Sequence, residues 1–171
     1  MSRYQRPLGV LAVLSCLGLP NALAAGDGWK FEIDKQDQPS LTYLDGSGKT
    51  VFQVGCGGHF NMWMVYPGAL KKEGEKASVA IANKKTSMDF AGEIDGSYPS
   101  APPNTIEFEQ PDLGFARDDP ELYEEKWHAL EKQFFDLLDS GQPLTIAAEG
   151  HNYVLPAIKI AGWRKRFNKI C

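Results

Sequence analysis

The sequence predicts an α+β domain: mainly antiparallel β-sheet or sandwich, with one long amphipathic helix and a short C-terminal helix. Three observations carry that prediction. Short stretches that alternate apolar and polar residues fill most of the chain before residue 110, one segment near residue 120 switches to a helical period, and strands do not alternate with helices as a parallel doubly wound sheet requires.

Residues 1–24 are expected to be a secretory signal, and residues 25–171 a single exported domain. Arg3 and Arg6 form the charged start, LGVLAVLSCLGL the apolar run, and ALA ahead of Ala25 the small-residue cleavage site, which places the cut after Ala24. The apolar run is too short for a spanning helix and no second one follows, so no membrane span is expected. Cys16 follows a small residue, as in a lipidation signal, but Leu14 fits that signal poorly.

The elements then follow in order. GWKFEID places Trp29, Phe31 and Ile33 on one face and Lys30 and Glu32 on the other, a half-buried strand. LTYL and TVFQV are joined by DGSGK and read as a hairpin. HFNMWMVY is the next strand, with Phe60, Met62, Met64 and Tyr66 on one face and His59, Asn61, Trp63 and Val65 on the other. After the polar KKEGEK come two further strands, SVAIA and SMDFAGEI. DGSYPSAPPN is turn and loop chemistry, and TIEFE alternates again.

The period changes at DDPELYEEKWHALEKQFFDLLDSG. Tyr123, Trp127, Leu130, Phe134, Leu137 and Leu138 fall on one helical face, Asp119 suits the N-cap, Pro120 the first turn and Gly141 the exit. PLTIAAEGHNYVLPAI reads as a hairpin turning over residues 150–152. In the last segment Ile160, Trp163, Phe167 and Ile170 recur at helical spacing between basic residues, the pattern of a terminal helix docking its aromatic face; a membrane-surface helix would show the same pattern.

Composition narrows the function classes. The formal charge of −4 becomes −6 when Arg3 and Arg6 leave with the signal, which argues against a nucleic-acid partner. Acids concentrate between Asp118 and Asp139, and bases between Lys159 and Lys169; these read as two solvated faces or as two docking surfaces.

Export leaves two cysteines, Cys56 and Cys171, which are expected to form a disulfide pinning the terminal helix to the strand region. A catalytic thiol at Cys56, suggested by CGGH, would then have no thiolate to offer. Copper at Cys56, His59, Met62 and Met64 is disfavoured, because alternation points the imidazole away from both thioethers. On the long helix His128 has Glu124 a turn before it and Glu131 a turn after, a set that can hold a divalent ion but reads first as a solvated charged face. His151 falls in a turn. No phosphate loop, nucleophile elbow, zinc-protease helix or calcium loop is present.

The early strand cysteine, the late YVLPAI strand and the closing GWRKRFNKIC resemble small exported bacterial proteins of the invasion-associated locus B type. The resemblance assigns no activity and no site residue. The sequence therefore points to a periplasmic or secreted binding module for another protein or an envelope component, inhibitor- or immunity-like among the options. No catalytic residue, metal or cofactor is assigned, and His59, Asn61, Trp63 and His151 are the candidate binding surface. The rival reading is a small metal-binding protein or hydrolytic enzyme using His59 or His128.

Overall fold

Among the described residues nine antiparallel strands join in a single sheet that curls around two helices. The computed structural model describes residues 28–95, 101–111 and 113–171; the expected signal, its cut after Ala24, Cys16 and residues 96–100 of the proline-rich loop lie outside them. The strands are β1 (Gly28–Ile33), β2 (Pro39–Leu44), β3 (Thr50–Cys56), β4 (Phe60–Val65), β5 (Lys76–Ala82), β6 (Ser87–Ile94), β7 (Thr105–Phe108), β8 (Leu144–Ala148) and β9 (His151–Leu155). The helices are α1 (Pro120–Leu138) and α2 (Trp163–Ile170), with a 3-10 turn over Gly114–Asp118 ahead of α1. Among the described residues all the strands belong to one antiparallel sheet, so of the two expected arrangements it is the single sheet that forms there rather than a sandwich.

The order across the sheet is β1-β2-β3-β4-β7-β6-β5-β8-β9. It is built from three meanders: the first four strands, the β5–β7 unit inserted in reverse, and the β8–β9 hairpin, which joins β5 after the chain has passed through α1. Partners facing one another across a ladder share a face, so the register sorts the side chains. Tyr43, Phe52, Met64, Ile106 and Ile94 form one inward row. Thr42, Gln53, Trp63, Glu107, Glu93 and Lys76 form the matching outward row.

The inward face wraps an aromatic core. Phe60 stacks on Phe134 of α1 at 4.7 Å and on Phe108 at 5.3 Å, and Phe135 meets Phe167 of α2 at 5.1 Å. Trp127, Trp163 and Phe167 are fully buried with them. Two hydrogen bonds cross the curl: the Trp29 indole N–H of edge strand β1 donates to the Pro156 carbonyl just after the other edge strand β9 (2.7 Å), and the Tyr153 hydroxyl of β9 donates to the Val65 carbonyl of interior strand β4 (2.8 Å).

Local chemistry sets the ends of the elements. Asp119 accepts from Leu122 N at 3.1 Å and caps α1, and Gly141, at φ 69°, supplies the left-handed exit. The β8–β9 turn is Glu149–Gly150, one residue earlier than alternation suggests. Both residues have positive φ, 50° and 82°, which is the two-residue hairpin turn whose twist matches the strands, and His151 already pairs with Ala148. Helix α2 is docked: Trp163 and Phe167 are buried and Cys171 is bonded to Cys56, with a Cα–Cα distance of 5.8 Å. The bridge closes a separation of 115 residues, for which chain entropy alone gives about 4 to 5 kcal/mol. Among the described residues no helix is long and apolar enough to cross a membrane.

Candidate functional site

The β3–β4 hairpin turn brings the chemistry together. Cys56 ends β3 on the inward face, Gly57 to His59 bend, and Phe60 starts β4. Gly58 has φ 96°, a conformation that a side chain resists, and the turn it permits takes His59 out of strand alternation. This corrects the expected face: His59 does not share the outer surface with Asn61 and Trp63, but leans over α1, its ring 4.6 Å from Trp127 and 6.4 Å from Tyr123.

There it meets the helix face that sequence spacing picked out. His59 Nε2 lies 4.0 Å from Glu124 Oε1, and His59 Nδ1 lies 3.9 Å from Glu131 Oε1. His128 Nε2 lies 3.8 Å from Glu124 Oε2, and His128 Nδ1 lies 3.4 Å from Glu131 Oε2. Two imidazoles and two carboxylates thus alternate around a ring. Glu131 is the least exposed of the four side chains and is fixed from below, accepting from Phe60 N at 3.2 Å. Fully buried Trp127 packs against His59 at the base of the ring. A cleft of about 260 Å³ adjoins the His128 and Glu131 side, running to Arg164, Asn168 and the Cys171 end of the disulfide. The nearby cations are engaged elsewhere: Lys132 and Arg164 both bind Asp136, at 2.8 and 2.7 Å, and hold its carboxyl below the ordinary range.

The other candidates stand apart from this ring. Asn61 is exposed on the outer face beside Gly55. Trp63 is on that face but only 3% exposed, so its indole offers little area to a partner. His151 opens β9 in the opposite hairpin, exposed and within electrostatic reach of Glu149. Cys56 and Cys171 are joined, so neither sulfur is a free nucleophile or ligand.

Two further polar sets escaped sequence reasoning. Below the sheet's curl the Glu149 carboxylate faces the Tyr66 phenol and lies 3.4 Å from Lys71 Nζ, which sits 5.2 Å from the centre of the Tyr66 ring. Burial and that carboxylate push Tyr66 up to about 12, and burial alone pushes the Tyr153 phenol far above its ordinary range. On the outer face a cleft of about 690 Å³ is lined by Glu73, Glu93, Asp95, Glu107 and Glu109 around Lys76. Lys76 reaches Glu109 at 2.9 Å and Glu93 at 3.0 Å, which raises its pKa. These acids come from β6 and β7, the residues just after them and the turn before β5, segments that the sheet order brings together. Comparison with protein-family models, with curated proteins and with solved structures finds no match for the chain.

Proposed function

We propose that the chain is an exported, disulfide-clamped binding protein of an oxidising compartment, periplasmic or secreted, that recognises a protein or envelope component. The carrying observation is where the fold spends its apolar surface. The concave side of the sheet, where a curled sheet would hold a ligand, is filled by Phe60, Phe90, Phe134 and Phe135 together with Trp127 and Trp163. Recognition is left to the outside. There the acid-lined cleft around Lys76, with Glu73, Glu93, Asp95, Glu107 and Glu109, is a surface suited to a partner that presents cationic groups. The β5–β6 and β6–β7 ladders hold this surface in place, so little ordering entropy is lost on binding.

The test is capture from envelope extracts by the oxidised domain, beside a variant carrying Glu93→Lys and Glu109→Lys. The expected result is a reproducible cationic partner that dissociates with rising salt and is lost in the variant. No partner, or one held equally by the variant, refutes the reading.

A further inference from the structure

A second surface carries the opposite charge. From residue 159 to residue 169 the chain holds Lys159, Arg164, Lys165, Arg166 and Lys169 with no acid, although the whole protein is acidic. Two of these bases have work within the fold. Arg164 takes Asp136 at 2.7 Å and lies 3.9 Å from Asp139, so it offsets the acids of α1 that meet α2. Arg166 lies over the Phe31 ring at 4.5 Å, while remaining exposed. Lys159, Lys165 and Lys169 are exposed and form no ion pair among the described residues.

Helix stability does not account for them. Buried Trp163 and Phe167 fix which side of α2 faces the domain, and Lys165 and Lys169, one turn apart, fall on the opposite side with Arg166 beside them. Lys169 suits the last turn, but Lys165 sits in the first, where the helix dipole favours acids and α2 has none. Lys165 works against that preference and gains no partner for it. We propose that this outward face of α2 docks on the surface of an anionic lipid bilayer.

Charge complementarity calls for an anionic partner, and three features select a bilayer over an acidic protein. Lysines without fixed partners are point charges on flexible stems, suited to a plane of mobile phosphate groups rather than to carboxylates set in place. Two of the four large aliphatic side chains exposed among the described residues flank these bases: Ile170 at the end of α2, and Ile33, which shares a strand face with Phe31 beneath Arg166. Basic residues edged by aliphatic ones suit an anionic interface. Finally, a cleft of about 570 Å³ beside Gly162, Lys165, Asn168 and Lys169 has room for a headgroup, and Asp139 on its wall is offset by Arg164. Docking is peripheral, because Trp163 and Phe167 stay buried and Cys171 stays bonded to Cys56. Attachment is therefore reversible and weakened by salt. This surface is separate from the acid-lined cleft around Lys76 and does not rest on that reading.

The experiment is cosedimentation of the untagged, oxidised chain with vesicles of equal parts phosphatidylglycerol and phosphatidylcholine, and with vesicles of phosphatidylcholine alone. Binding to the first and not the second is expected, falling as salt rises. A base near an anionic surface contributes about 5-fold, so Lys165→Gln with Lys169→Gln should weaken binding by about 25-fold. Lys49→Gln with Lys72→Gln removes the same charge from two turns elsewhere, and should stay within about 2-fold of the parent. The chain carrying Glu93→Lys and Glu109→Lys should bind vesicles no less than the parent, which separates this surface from the acid-lined cleft. Melting curves verify that each variant is folded. Equal binding to both vesicle types, no binding to either, parent-like binding by a folded Lys165→Gln, Lys169→Gln chain, or an equal loss in the Lys49→Gln, Lys72→Gln chain overturns the proposal. Retention on immobilised polyglutamate without binding to the anionic vesicles also overturns it, in favour of an acidic protein.

Discussion

Gly92 is the point where the sheet tolerates least change. It sits in β6 opposite Phe108 of β7, and a Cβ placed there would fall on the Glu107 carbonyl oxygen while lying 2.8 Å from both the Glu107 carbonyl carbon and Ile106 Cγ1. Two of these three obstacles are backbone, so no rotamer change relieves them. The strands must separate, and the ladder of Gly92, Glu93 and Ile94 with Phe108, Glu107 and Ile106 is what separates. Overpacking a tight interior costs about 1 to 3 kcal/mol, and each strained ladder bond adds about 1 kcal/mol. Gly92→Ala is therefore expected to destabilise the domain by about 3 kcal/mol. Gly46→Ala is the control: it lies in open space without positive φ, and should stay within about 0.5 kcal/mol of the parent. Urea unfolding followed by tryptophan fluorescence measures both. A Gly92→Ala loss below about 1 kcal/mol would show that β6 and β7 do not approach as described.

Two other perturbations test the clamp and the tyrosine set. Replacing Cys56 and Cys171 together with alanine should lower the urea midpoint by the equivalent of about 4 kcal/mol, and reductant should shift the parent but not the variant; equal midpoints would mean the bridge does not constrain the unfolded chain. Tyr66 has a folded pKa raised from 10.0 to about 12, so its contribution is fully present below pH 10 and is lost as pH climbs toward 12. Stability should fall across that window, and Tyr66→Phe should flatten the fall; an identical alkaline profile in the variant would exclude Tyr66 as its source.

Much of the fold is legible in the sequence because alternation and helical period are local signals. Trp29, Phe31 and Ile33, the SMDFAGEI strand and the capped helix from Pro120 to Leu138 are each written into a few neighbouring residues. What escapes is what distant segments decide. Nothing in the strands says that β7 pairs with β6, so the acids of β7 cannot be seen to share a cleft with Lys76. Phe135 falls beside the predicted stripe of α1 rather than on it, and is buried because α2 returns to cover it through Phe167. Trp63 shows the same divide: alternation places it on the outer face, and only tertiary neighbours determine that this face is closed over its ring. His59 is the sharpest case, since the glycine pair announces a bend but not its direction. That direction alone separates an outer-surface histidine from a partner of His128.

The direction has a structural cause, and it links the disulfide to the His–Glu ring. The β3–β4 turn is held at both of its feet: Cys56 is tied to the end of α2, and Phe60 N is tied to Glu131 of α1. Phe60 adds a third hold by stacking on Phe134, one helical turn beyond Glu131. Between these feet lie only Gly57, Gly58 and His59, with Gly57 N donating to the His59 carbonyl at 3.0 Å to tighten the loop. A loop this short with both ends fixed to helices has few conformations left, and positive φ at Gly58 selects among them the one that carries the imidazole toward α1. The Cys56–Cys171 bridge therefore does more than stop the terminal helix from fraying. It fixes one foot of the turn that sets His59 against Glu124, Glu131 and Trp127, which is why the residues from Cys56 to Phe60 work as one unit although their side chains serve a bridge, a bend, a ring and a core.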